Sequence, residues 1–369
     1  MSLHSFYLTI GLALASDGHQ VRRSFFSALQ PCLEFNDIEL LICDNSPDLN
    51  RDFILKNMQE NVRYIANPTN IGAAENFNKI HEEANGDFVL ILGDDDFLHP
   101  FFCEHWDFIK NEIKANPQRT IYSLPQFFND SQAISTITPP KEFYDHIQSN
   151  QLSQRAAGIA SLQTLNYFFY SIQPKKSISW QIGHYYIQKC PGYTRSFDWA
   201  VSYAPILFNP SLQLDKCYYV YNNRNWSSPD EFISREVNLF KADLKEELRE
   251  KLSIRNIQTI RNAASAAMCC SYFLCLGIHQ EKFNQIEFNA EEFYRAASLI
   301  LKARFLNHIP LTQGDWQQLC NGSQKGLWET LSYVLNQVKG CYREELGEQL
   351  IEFLIETPKS FNGAIKYQL

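Results

Sequence analysis

Over its first hundred residues this chain repeats one pattern: a short apolar run, a polar turn, then an amphipathic stretch. Phe6 to Leu14, Ile38 to Cys43, Val62 to Ala66 and Asp87 to Leu92 are the apolar runs. Runs of this length and composition, bounded by turn residues, read as buried strands. Between them, Val21 to Leu29 sets Val21, Phe25, Ala28 and Leu29 at helical spacing with Arg22 and Arg23 outward, and Ala73 to Ala84 reads as a helix stopped by Asn85-Gly86. Strands that alternate with helices through short polar loops predict right-handed crossovers and a mostly parallel sheet flanked by helices. Ligands of such sheets bind beyond the C-terminal strand ends, and two acidic turns, at Asp44 and at Asp94, lie at such ends.

Beyond this α/β region the pattern changes. Residues 120–229 are rich in Tyr, Phe, Ser and Asn and less regular, and read as the remainder of a first domain, with loops that wall a substrate site. From about residue 230, Phe232 to Leu252, Asn256 to Phe273, Glu291 to Leu306, Gly326 to Val338 and Glu345 to Ile355 show helical periodicity with charged outer faces. Asn289 followed by Glu292 has the spacing of a capping box, and Pro358 marks the end of the last helix. The expected organisation is therefore an α/β domain over 1–229 followed by an all-α domain over 230–369.

Composition excludes several classes of function. With 33 Lys and Arg against 41 Asp and Glu the chain carries a net charge of -8 and has no basic stripe, which argues against a nucleic-acid partner. No apolar stretch is long enough to span a bilayer, and the opening residues lack the features of a signal peptide, so a cytoplasmic location is expected. None of the ten Cys forms a C-x-x-C pair, and several lie in apolar runs such as Met268-Cys269-Cys270, where a thiol packs as a small hydrophobe. There is no G-x-G-x-x-G after the first strand, no phosphate-binding P-loop, no H-E-x-x-H and no G-x-S-x-G.

The strongest local signal is Gly93-Asp94-Asp95-Asp96, directly after Phe88-Val89-Leu90-Ile91-Leu92. Three adjacent carboxylates repel one another unless a cation or a helix terminus compensates them. Hard divalent cations take such oxygens together with waters and ligand phosphates. Acids preceding a helix that opens near Pro100 would also be favoured by its dipole, so the triplet alone leaves both roles open. A second signal is Asn70-Ile71-Gly72-Ala73-Ala74-Glu75-Asn76, where small residues allow close backbone approach and Asn76 lies one turn past Gly72; an ordinary glycine-containing loop entering a helix is the alternative.

Taken together, Asp44-Asn45-Ser46, Asn70-Ile71-Gly72 through Asn76, and Gly86 through Asp96 followed by Pro100 resemble, over residues 6–105, the nucleotide-sugar-binding half of a family 2 glycosyltransferase with the GT-A fold. The Gly-Asp-Asp-Asp form is similar to sugar transferases of bacterial surface-polysaccharide assembly, including the abequosyltransferase-like branch. The resemblance implies that Asp44 receives the nucleotide base through a ring N–H, with Ala15 and Ser16 lining the same pocket and Gly72 and Asn76 beside it. It implies that Asp94 and Asp96 ligate Mn²⁺ or Mg²⁺ bridging the donor diphosphate, with Asp95 close to the sugar. It further implies inversion, with a general base about a hundred residues past the acid turn; Asp198 stands in that region and His184 is the reserve.

The activity so implied is transfer of one hexosyl-type sugar from a nucleotide-sugar donor to a glycan or lipid-linked acceptor. The absence of a Gln-x-x-Arg-Trp stretch and of membrane spans argues against a processive synthase. The helical tail is where acceptor positioning, a peripheral membrane contact or self-association would reside. The rival reading is a non-catalytic protein of the same fold that binds a nucleotide or glycan while its tail docks a partner.

Overall fold

A computed structural model describes residues 6–16, 18–117, 119–123, 126–128, 134–136, 141–161, 169–177, 180, 202, 206–207, 211–214, 217–222, 241–278, 289–306, 309, 321–349 and 351–352. They fall into two compact units: Met1–Pro140 with Thr164–Ile187 and Phe197–Asn225, and Lys141–Gln163 with Gln188–Ser196 and Trp226–Leu369. The single division expected at residue 229 is drawn differently here: the second unit begins at Trp226 and also takes in Gln188–Ser196 and Lys141–Gln163. Lys141–Gln163 groups with the C-terminal helices, for reasons of packing given below.

The first unit runs β1 (Leu8–Leu14), α1 (His19–Glu34), β2 (Ile38–Asp44), α2 (Asp52–Leu55), β3 (Val62–Ala66), α3 (Ala73–Glu83), β4 (Phe88–Leu92), β5 (Phe97–Leu98), α4 (Phe101–Glu104), α5 (Trp106–Ala115), β6 (Ile121–Ser123), β7 (Gln126–Phe128) and β8 (Ile134–Thr136), then β9 (Gln173–Pro174), β10 (Leu212–Leu214) and β11 (Tyr219–Asn222). The central sheet has the order β3-β2-β1-β4-β9. Its first four strands are parallel and β9 is antiparallel, so the mostly parallel sheet flanked by helices is what the chain forms. Residues alternate across it as strand geometry requires. Leu8, Ile10, Leu12 and Leu14 pack with Val21, Phe25 and Leu29 of α1 and with Trp106 and Ile109 of α5. Ala13, Leu41, Cys43, Val89 and Ile91 pack on the opposite face with Ala74 and Ile80 of α3. Gly11 makes that second face possible, because a Cβ there would lie 2.1 Å from Ile80 Cγ2.

Register aligns the strand ends that matter. Leu14 is level with Asp44, Asp44 with Ala66, and Leu12 with Leu92. The chain winds outward from β1 through β2 to β3, then returns to place β4 on the other side of β1. The gap between β1 and β4 is thus the point where strand order reverses, and ligands of open α/β sheets bind there. A second small sheet, β5-β11-β7-β8, pairs β11 antiparallel with β5 and brings Asn222 back beside the turn after β4.

The opposite end of the sheet is fastened by a buried carboxylate. Glu39 accepts from Thr9 Oγ1 at 2.7 Å, Arg63 Nη1 at 2.8 Å, Asn85 N at 2.9 Å and Asn85 Nδ2 at 2.7 Å. Thr9 Oγ1 in turn accepts from Gly86 N, so β1, β2, β3 and the turn before β4 share one network.

The second unit holds α6 (Lys141–Ile147), α7 (Leu152–Ser161), α8 (Glu246–Arg249), α9 (Ile254–Ile278), α10 (Ala290–Arg304) and α11 (Gln324–Val338). Helix α9 packs on α10 and α11, and α10 on α7. That contact is why α6 and α7 belong with the C-terminal helices: Arg304 Nη2 donates to Ile159 O, and Glu292 Oε1 accepts from Ser153 N. Asn289 caps α10 by accepting from Glu292 N at 3.1 Å, but the Glu292 carboxylate turns to Ser153, so the expected capping box is completed on one side only. Periodicity predicts one long helix over 232–252; among its described residues, 241–252, only Glu246–Arg249 is a regular helix, because Leu244 forms a β-bridge with Tyr342. Cys269 and Cys270 are buried in α9, and no helix among the described residues is long and apolar enough to cross a membrane.

Replacing Glu39 by Ala strands the Thr9 hydroxyl and the Asn85 amide around a buried gap, while the half-buried Arg63 keeps its bonds to Glu83. The expected cost is about 3 kcal/mol or more, read as a lowered midpoint in urea unfolding with an unchanged slope.

Candidate active site

Three strand ends converge at the switch point. After β4 the chain turns sharply through Gly93-Asp94-Asp95-Asp96, and the three carboxylates part company. Asp94 leans across to the end of β1, where its Oδ2 accepts from Ala15 N at 2.9 Å, Ser16 N at 2.7 Å and Ser16 Oγ at 2.6 Å. Ala15 and Ser16 are exposed, so this part of the turn opens to solvent.

Asp96 points inward and is 1 % exposed. Its Oδ1 accepts from Asn222 N at 2.9 Å, and its Oδ2 has no hydrogen-bond partner. Burial, and then the Asp95 and Asp94 charges, push its pKa well above the ordinary carboxylate range, against the opposing pull of Asn222 N and Tyr170. The Tyr170 phenol beside it is also buried, and burial with the Asp96 charge holds it firmly protonated.

Gly93 shapes the space between these groups. A Cβ at that position would lie 3.1 Å from Asp95 Oδ1, 3.6 Å from Asp96 Oδ2 and 3.7 Å from Tyr170 Oη. Glycine therefore leaves a small hollow ringed by three oxygens, one of them an orphaned carboxylate oxygen. Among the described residues no set of three or more His, Cys, Asp or Glu side chains forms a ready metal cage. The hollow suits a hard divalent cation that completes its shell with water or ligand oxygens, as Mg²⁺ commonly does. Asp96 and Asp95 face the hollow, whereas one oxygen of Asp94 is committed to Ser16.

At the end of β2, Asp44 is inaccessible. Its Oδ1 accepts from Ser46 N at 2.9 Å and Arg51 Nη2 at 3.0 Å, and its Oδ2 from Arg51 Nε at 2.6 Å and Tyr64 Oη at 2.8 Å. A carboxylate has about four lone-pair sites, and all four are used. In this conformation Asp44 has no acceptor site left for the ring N–H of a base, which departs from the contact that the resemblance implies. Burial would raise its pKa, but the hydrogen bonds from Arg51, Ser46 and Tyr64 outweigh burial and hold it below the ordinary value. Ser46 Oγ also donates to Ala15 O, tying the β2 end to the β1 end.

The Asn70–Asn76 segment is ordered by a chain of amides. Asn45 Nδ2 donates to Gly72 O, Asn67 Nδ2 to both Asn45 Oδ1 and Asn76 Oδ1, and Asn76 Nδ2 to Cys43 O. Asn76 is thus buried with both side-chain atoms engaged by protein. A Cβ on Gly72 would meet nothing within 4 Å; glycine is favoured there by φ +85° at the entry to α3, rather than by close packing. The two candidates for general base, Asp198 and His184, lie outside the described residues.

Arg51, Tyr64, Tyr170 and Asn222 are site residues that sequence reasoning missed. Arg51 stands in a polar turn with no motif around it. Tyr170 and Asn222 reach the acid turn only through β9 and β11, whose short runs carry little signal.

Residues 18–164 match the family described as Glycosyl transferase family 2. That segment contains Asp44, the Asn70–Asn76 loop and the whole acid turn. The crystal structure of S. aureus TarS 1-349 superposes with a TM-score of 0.53 at 13% identity, covering 98% of this chain and 93% of that one. The same TarS fragment in complex with UDP-GlcNAc gives 0.50 at 12% identity, with the same two coverages. These likenesses show a shared fold, including a helical C-terminal region. No curated protein matches the sequence.

A depressed Asp44 pKa means that its charge stabilises the fold fully above the ordinary carboxylate value near 4, and that this stability is lost as pH falls through the folded value. Asp44→Asn is expected to lower the melting temperature at pH 7 and to flatten its decline below about pH 4. The check is a melting profile of both proteins between pH 2.5 and pH 7.

Proposed function

We propose that the chain is a non-processive glycosyltransferase that takes one sugar from a nucleotide-sugar donor bound across the C-terminal ends of β1, β2 and β4. The observation that carries this reading is the oxygen-ringed hollow at Gly93, set at the strand-order switch point inside the segment that matches family 2. A uridine diphosphate sugar is the donor class favoured, since the TarS fragment of similar fold is described in complex with UDP-GlcNAc. The Gly-Asp-Asp-Asp form supports a place in the abequosyltransferase-like branch and an acceptor in surface-polysaccharide or glycolipid assembly. The α/β and helical domains divide this labour, the second serving acceptor positioning, self-association or a peripheral membrane contact.

The residues have separable tasks. Asp96, with Asp95 beside it, would hold Mn²⁺ or Mg²⁺, and Asp94 would brace the turn through Ser16. Bound there, the cation supplies Lewis-acid stabilisation to the departing diphosphate. Ala15 and Ser16 form the floor between base and phosphates, and Gly72 with Asn76 fixes the adjoining loop. For inversion, a carboxylate or imidazole takes the acceptor hydroxyl proton as that oxygen bonds to the anomeric carbon and the bond to the nucleoside diphosphate breaks. Asp198 is the residue proposed for this, with His184 second.

Ligands that bind only the folded state raise its melting temperature by mass action. The expected result is a rise with UDP and Mn²⁺ that chelator abolishes and that Asp96→Asn lacks, while the variant alone melts as the wild type does. An unchanged cation-dependent rise in Asp96→Asn removes Asp96 from the cation site. No rise with any nucleoside diphosphate contradicts the transferase reading and favours a non-catalytic protein of this fold.

A further inference from the structure

Single apolar side chains scattered over a surface need no explanation, but a joined set does. Of the six large apolar side chains that stand exposed among the described residues, four lie on α1 and the segment through α2: Phe26, Leu33, Leu55 and Met58, each 40 % to 57 % exposed. On α1, Arg22, Phe26, Gln30 and Leu33 follow one another at spacings of four, four and three, so they form one exposed stripe along the helix. The α2 segment joins that stripe through Phe53. Its ring lies 6.4 Å from that of Phe26 and 5.4 Å from that of the buried Phe25, and the Arg22 guanidinium sits over it at 4.7 Å. Leu55, Lys56 and Met58 follow within five residues, all exposed.

Charge marks what covers this face. The chain carries a net charge of -8, yet His19 to Leu33 holds two arginines and no acid. With Lys56 they set three exposed cations beside Phe26, Leu55 and Met58. Asp52 is the one acid between Arg51 and Gln59, and Glu34, Asp48 and Glu60 lie outside these two stretches. A surface that mixes Arg and Lys with Phe and Leu suits the headgroup layer of a bilayer, where apolar side chains enter the acyl boundary and cations meet anionic lipid. We propose that the α1–α2 face docks on an anionic lipid surface. The arginines stand at the end of α1 nearest the acid turn: Arg23 lies 5.1 Å over the ring of Phe97, the residue after Asp96, and Ser16, three residues before α1 begins, donates to Asp94. Docking therefore holds the acid turn close to the membrane, where a lipid-linked acceptor is met. That consequence rests on the transferase reading; the docking itself does not. It gives the membrane contact to the first unit and leaves acceptor positioning or self-association to the helical one.

The test is co-sedimentation of the full chain with vesicles of phosphatidylcholine alone and of phosphatidylcholine mixed with phosphatidylglycerol. Wild type is compared with Arg22→Gln/Arg23→Gln and with Leu55→Asn/Met58→Gln. All four side chains are exposed, so both variants are expected to fold, and their melting curves check it. Wild type should prefer the anionic vesicles and lose that preference in high salt. Each basic side chain beside an anionic surface is worth about fivefold in partition, so the arginine variant should bind the anionic vesicles about twentyfold more weakly. The apolar variant should bind both kinds about tenfold more weakly or worse. Wild type that sediments with neither kind, or equally with both, overturns the inference, as do two variants that bind as wild type does. A dimer that forms without vesicles and is broken by the same substitutions makes this face a contact between copies of the chain, and overturns it too. The melting rise with UDP and Mn²⁺ separates this inference from the transferase reading. No vesicle binding with the rise intact overturns the docking alone; vesicle binding with no rise for any nucleoside diphosphate overturns the transferase reading alone.

Discussion

Like charges held side by side repel, and the turn after β4 holds three. The surroundings answer that repulsion differently at each position: three donors from Ala15 and Ser16 meet Asp94, one backbone N–H from Asn222 meets Asp96, and an oxygen-lined hollow remains in front of Gly93. Two of these answers come from distant parts of the chain. The end of β1 must lie beside the end of β4, which the parallel pairing of Leu12 with Leu92 ensures, and β11 must run back along β5 to present Asn222. Beside the Tyr170 phenol, the Asp96 Oδ2 oxygen keeps no hydrogen-bond partner of its own and is the atom of this turn best placed to take a cation.

The neighbouring ionic pair is arranged on the opposite principle. Asp44 is satisfied on every lone pair, so its worth lies in what it orients. A buried carboxylate with a side-on arginine costs desolvation on both partners, and such pairs are better at fixing geometry than at adding stability. Here the fixed geometry joins β2 to β3 through Tyr64 and to β1 through Ser46 and Ala15.

Much of this was legible in the residues alone. The runs at 38–43, 62–66 and 87–92 match β2, β3 and β4 to within one residue at each end: β2 and β4 are buried on both faces and read as largely apolar segments, while the edge strand β3 is half-buried and is marked by Val62, Tyr64 and Ile65 around Arg63. The acid turn was legible because three consecutive aspartates after such a run repel one another unless something positive compensates them. The role of individual acids was not, since side-chain direction depends on partners far away in sequence, Asp94 on Ser16 and Asp96 on Asn222, or on a nearby turn residue with no motif around it, Asp44 on Arg51. Tail periodicity located α9, α10 and α11, of which α10 and α11 bury residues at spacings of three and four while α9 is buried all round over 266–274, yet it over-extended into 241–252, where a single bridge between Leu244 and Tyr342 redirects the backbone. Asn45 and Asn76 stood in segments the sequence singled out, but their joining through Asn67 into one amide chain had no signal.

The central claim is that a nucleotide occupies the joined ends of β1, β2 and β4. Amide hydrogen exchange with and without UDP and Mn²⁺ addresses it directly, since exchange slows where a ligand restrains opening. The account predicts slowed exchange in peptides covering Ala15–Ser16, Asp44–Ser46 and Gly93–Asp96, with α9 to α11 unaffected. Bound nucleotide that leaves those three turns unprotected, or protects only residues 254–338, would contradict it.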